Sequence, residues 1–188
     1  YSDSFFYVTN REFLFLMHIP DGFLSPQTYL PAYVVATVAW TWAVKGLRNS
    51  LDEVIVPRLA MLTALAYGLG LVMIPIPGGT SGHGLGVAIL ALLFGIRSAF
   101  IAYSLVLLLQ SLLLGAGGIT ALAINALAMG LIGGGVAVAV RHLLRPLGDT
   151  IAIAIAGWAS VVAAGLVVAL ILGIQPYVAQ QADGSPLF

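Results

Sequence analysis

The chain contains no cysteine. That absence excludes disulfides, thiolate metal ligands and cysteine nucleophiles together. Charge is nearly as scarce. Seven Lys and Arg and seven Asp and Glu among 188 residues make 7%, against about 25% in a soluble domain. Too little polar surface is left to cover a water-soluble fold, and a net charge of zero offers no footprint for nucleic acid. Period-2 alternation is missing from the long Leu, Ala, Val, Ile and Gly runs, so the spans are helices and not barrel strands. The opening residues do not read as a signal peptide. Residues Tyr1–Leu16 lack a basic start, a long apolar run and a small-residue cleavage site. They read as a leader or a non-native extension.

What is there is apolar: 61% hydrophobic residues and a mean hydropathy of +1.07. The expected fold is all-α, a polytopic membrane helical bundle. About 20 apolar residues cross a bilayer as a helix, and six candidate spans follow: Thr28–Val44, Arg58–Ile74, a short Leu85–Phe94, Ser98–Leu114, Ile119–Val140 and Ile151–Leu172. Only Gly95-Ile96-Arg97 separates the third from the fourth, which predicts a tight turn. Residues 17–174 form the transmembrane domain, and 175–188 read as an extracytoplasmic loop that stops in turn chemistry.

Positive charge sets orientation. Lys45, Arg48 and Arg58 lie between spans one and two, Arg97 between three and four, and Arg141 and Arg145 between five and six. The alternate loops 75–83, 115–118 and 174–188 carry neither Lys nor Arg. Basic loops in the cytoplasm place two of the three histidines, His18 and His83, together outside the cell membrane, and His142 inside.

The glycines cluster at 78–86, 115–118 and 130–135. Small residues let membrane helices approach closely, so most of these glycines read as packing. Gly78–Gly86 differs, because it interrupts apolar sequence beside a histidine. Irregular backbone survives at membrane depth only against protein or a cavity, so this loop is expected to re-enter the membrane or line a pocket. Ala32, Ala36, Ala39 and Ala43 form a small-residue stripe on span one. It reads either as contact with a neighbouring helix of the chain or as a docking face for a separate membrane subunit.

The stretch Met17-His18-Ile19-Pro20-Asp21-Gly22-Phe23 precedes span one. With Met17 as first residue, its α-amine, the His18 amide nitrogen and His18 Nδ1 close adjacent chelate rings on one metal, and His83 supplies a fourth nitrogen. Square-planar nitrogen suits Ni(II) or Cu(II) and can accept Co(II). Groups to orient the imidazoles are sought among Asp21, Thr80, Ser81, Gln110 and Asn125. The plainer reading is two interfacial polar residues that share a side by chance, in an integral membrane protein without a metal role, such as an assembly factor or secondary permease. Other chemistries fit less well. No carboxylate is placed to make Ser81 and His83 a hydrolase, His142 has no haem-ligand partner on its side, and no intramembrane carboxylates suggest an ion-coupled pump.

MHIPDGFLSP at Met17–Pro26 resembles the N-terminal signature of the CbiM/NikM family, substrate-binding membrane subunits of energy-coupling-factor cobalt and nickel transporters. PIPGGTSGH at Pro75–His83, QSLLLGAGGITALAINALAMG at Gln110–Gly130 and AGW at Ala156–Trp158 match that family as well. The resemblance implies uptake of Ni(II) or Co(II), the metal that cobalamin biosynthesis consumes. Met17, His18 and His83 would hold the metal on the extracytoplasmic side of the cell (inner) membrane. It also implies a transmembrane coupling subunit and cytoplasmic ABC ATPases as partners, so that this subunit is not itself an enzyme, and a docking role for the Ala32–Ala43 stripe. Two departures stand out. Sixteen residues precede Met17, whose amine the family exposes, and the family's last span is expected beyond the end of this chain.

Overall fold

Helix α1, Pro26–Leu47, begins with a proline, which suits a first turn whose N–H groups have no intrahelical partner. A computed structural model describes residues 18–19, 21–48, 51–76 and 80–178, with the side chains of 73–76 and 80–83 outside the described set. Helix α2, Ile55–Leu71, starts where the Asp52 carboxylate accepts the N–H groups of Val54 (2.9 Å) and Ile55 (2.6 Å). It stops three residues short of the expected Ile74. Val72 turns extended, and strands β1 (Met73–Ile76) and β2 (Thr80–His83) pair antiparallel, with Met73 opposite His83. Ile74 precedes Pro75, and a residue before proline is pushed out of the helical region. The all-α bundle therefore holds with this small hairpin as its exception.

Helix α3, Val87–Leu114, is broken at Gly95 (φ 82°, ψ 165°) into limbs 87–94 and 96–114. In a straight helix Ala91 and Ala99 would lie about 12 Å apart along the axis. Both instead come within 4.0 Å of where a Cβ on Gly134 would stand, so the limbs fold back on each other. The expected tight turn after a short third segment is present. Helix α4, Leu122–Leu147, passes from α-helix into a π-helical stretch, Ala126–Gly133, and back. Glycine contours its surface there: a Cβ on Gly130 would stand 2.9 Å from the Phe100 ring, and one on Gly133 3.2 Å from Ser160 Oγ. Helix α5, Asp149–Val178, has 30 residues, about 45 Å, and runs past the expected Leu172 because Gln175 is buried and not a loop residue. Among the described residues α3, α4 and α5 are long and apolar enough to cross a membrane, and α2 is a shorter apolar helix.

Contacts along the helices fix their directions. Arg97 lies 4.7 Å over the Trp42 ring, Trp40 stacks on Phe100 and donates to Ser104 Oγ, and Tyr33 donates to the Ile119 carbonyl. Helix α1 thus runs antiparallel to the long limb of α3. Gly86 abuts Ala66 while Leu62 and Leu65 share a groove with Leu93 and Phe94, so α2 runs antiparallel to the short limb. Gly95 is therefore at one end of the bundle, and the β-hairpin, turn 115–121 and segment 18–25 are at the other. The main core, with Val87, Leu90, Phe100, Tyr103 and Val106, fills the space between.

Candidate metal centre

Residues 18–19 and 21–25 form an arm laid across the turn between α3 and α4. Two apolar side chains anchor it. Ile19 (2% exposed) and Leu24 (4%) pack with Ala121 and Ile124 of α4, flanked by Val168 and Ile171 of α5. Each such burial is worth about 1.5–3 kcal/mol. The main chain of Ile19 is held from three directions. Its N–H donates to Asn125 Oδ1 (3.3 Å), and its carbonyl accepts from Asn125 Nδ2 (3.4 Å) and from the Gly118 N–H (2.9 Å).

Two residues further on, the Asp21 carboxylate accepts the N–H groups of Ile119 (3.1 Å) and Thr120 (2.8 Å) and the Thr120 hydroxyl (2.5 Å). Burial alone would raise the Asp21 pKa, but the bonds from Thr120 and Ile119 stabilise the ionised form and hold it below its ordinary value of 3.8. At the far end of the arm Ser25 Oγ lies 3.2 Å from Thr28 Oγ1, which donates to Gln175 Oε1 of α5 (2.7 Å).

This seat needs glycine. Gly117 has φ +85°, and a Cβ on it would stand 2.8 Å from His18 Cβ; one on Gly118 would overlap the Asp21 main-chain nitrogen and carboxylate. His18 itself is only 3% exposed.

The structure brings His18, Asp21 and Asn125 together at one end. Met17 lies outside the described residues, as do the side chains of Thr80, Ser81 and His83; the backbone of His83 is in β2, at the same end as His18. Gln110 is buried five residues before the turn, and its Oε1 has no hydrogen-bond partner among the described residues. Of the groups sought to orient imidazoles, Asp21 grips the main chain at 119–120 and the Thr120 hydroxyl, and Asn125 grips the main chain of Ile19. His142 is exposed near the end of α4, at the opposite end of the bundle from His18.

The alanine stripe makes contacts inside the chain. Ala36 and Ala43 have no exposed surface, and Ala32 and Ala39 pack against the two cores. Their small size is used for contact within the chain, the first of the two readings the sequence offers. Sequence reasoning missed Gly117, Gly118 and Thr120. The 115–118 cluster signalled close approach but not which segment approaches.

The CbiM family, described as the cobalt uptake substrate-specific transmembrane region, matches residues 18–187. The fused nickel transport protein NikMN of Rhodobacter capsulatus is 35% identical over 178 residues, covering 92% of this chain and 51% of that protein. The cobalt transport protein CbiM of Moorella thermoacetica is 32% identical over 145 residues, covering 75% and 55% respectively. The chain spans about half the length of these relatives. A solved structure described as a truncated transition metal transporter superposes with a TM-score of 0.85 at 37% identity, covering 92% of this chain and 81% of that one. With its match running from His18 of the arm to beyond the last described helix, the chain belongs to the CbiM family of membrane proteins.

Proposed function

We propose that the protein is the substrate-binding membrane component of a nickel or cobalt uptake system. The metal ion is cargo, held by the Met17 amine, the His18 amide and ring nitrogens, and a His83 ring nitrogen. The observation that carries the reading is the arm: a buried histidine, its neighbouring main chain fixed at three points, at the end of the bundle that also holds the hairpin bearing His83. The nickel and cobalt transport relatives support the ion class. A set of nitrogen donors suits Ni(II) and accepts Co(II). The basic residues Lys45, Arg48, Arg97, Arg141 and Arg145 gather toward the opposite end, which supports an extracytoplasmic site in the cell (inner) membrane. Energy comes from a transmembrane coupling subunit and cytoplasmic ABC ATPases, and this subunit hydrolyses nothing.

The test is metal analysis with intact mass of purified protein beginning at Met17. One equivalent of Ni(II) or Co(II) is expected, and none after His83→Ala. Binding that survives His83→Ala sinks the site. An added residue ahead of Met17 should weaken binding, because it converts the amine ligand into an amide.

A further inference from the structure

We infer that Asp21 is a positioning residue, the clasp that fixes the register of the arm and so sets how long the metal stays bound; this rests on the metal reading proposed above. The carboxylate is on the exposed middle of the arm, three residues beyond His18, yet it gathers three donors from Ile119 and Thr120. These donors belong to the turn that also supplies Gly117 beneath His18 and the Gly118 N–H to the Ile19 carbonyl. Sliding the arm by one residue would break every one of these bonds and drive the His18 position off its glycine. Sequence separations of 99 and 106 residues make this a tertiary lock and not a local turn.

A chelate whose chain is already ordered loses little entropy on binding metal. Outer groups that hold metal ligands in place typically change affinity by about 10–100-fold when removed. Asp21 carries that role without being a ligand. Because His18 is 3% exposed in the seated arm, metal leaves fastest when the arm lifts, and the clasp governs lifting.

The experiment compares wild type, Asp21→Ala, Asp21→Asn and Thr120→Val, each beginning at Met17 as in the metal test above. Two readouts are taken: Ni(II) release into excess chelator, and hydrogen exchange at the Gly118 amide without metal. Gly118 is the informative amide because it bonds Ile19 and not Asp21. Asp21→Ala should speed release about 10–100-fold, leave the Ni(II) absorption spectrum at saturation unchanged and deprotect Gly118; Asp21→Asn should restore part of both. Unchanged release with unchanged Gly118 protection overturns the inference. If wild type binds no metal, the proposed function fails separately, and Gly118 exchange still decides the clasp. Should Asp21→Ala fail to fold, Thr120→Val decides: a smaller acceleration and partial deprotection support the clasp, and wild-type values overturn it.

Discussion

At the end of the bundle that carries His18, Gly117 and Gly118 let a second segment of chain settle onto the turn, and hydrogen bonds from both sides then hold it there. At the opposite end Gly95 only reverses the chain, and a Cβ there would meet nothing within 4 Å. Gly46, close by, gives way to the flexible Arg97 side chain. The first use of glycine sets a register, whereas the second supplies a conformation. Damage at the seat should therefore appear in metal binding, and damage at the reversal in stability.

The largest effect is expected from Gly117→Val. The strained φ and the clash with His18 together cost about 2–5 kcal/mol, well over tenfold in Ni(II) affinity by titration, with helical circular dichroism retained. Wild-type affinity would erase the distinction between the ends. Gly95→Ala comes next. Its φ and ψ lie in a region that only glycine adopts readily, so thermal unfolding in detergent should show a loss of about 1–3 kcal/mol, with Ni(II) affinity unchanged.

Acid should reach the clasp late. Asp21 titrates lower when folded than unfolded, so its contribution is complete above its ordinary 3.8 and fades only as pH falls through the lower folded value. A carboxyl-carbon titration by NMR should place its midpoint below 3.8. The smallest effect belongs to the basic end. The Arg141–Asp149 pair, 3.3 Å apart and 40% and 69% exposed, should contribute at most about 1 kcal/mol; unfolding of Asp149→Asn should move little and metal binding not at all.

Features set by charge and chain reversal were legible in the sequence. The Gly95-Ile96-Arg97 turn followed from two apolar runs too close to be joined otherwise, and the gathering of Arg97, Arg141 and Arg145 away from His18 followed from loop alternation. Helix ends were read less well. Hydropathy carried span two to Ile74, although Pro75 already disfavoured helix there. The polar Gln175 looked like a loop residue because its partner, Thr28, is 147 positions away. Long-range partners defeated the reading of glycine as well. Gly117 and Gly118 look like any other small pair until residues 18–21 are laid across them, and Thr120 carries no motif of its own. The alanines of α1 left two readings open for a related reason, since small size fits contact inside the chain as well as contact with a partner.

The separation between the arm and its seat also bears on synthesis. Ile19 leaves the ribosome 106 residues before Asn125. At about 5–20 residues per second, that is a delay of about 5–20 s. Throughout that interval the arm has no groove to occupy, so it docks only after α3 and the start of α4 are in place. Seating of the arm is therefore a late step in building this end of the bundle, and a chain halted before residue 125 would carry Ile19 without the Asn125 amide that holds its main chain.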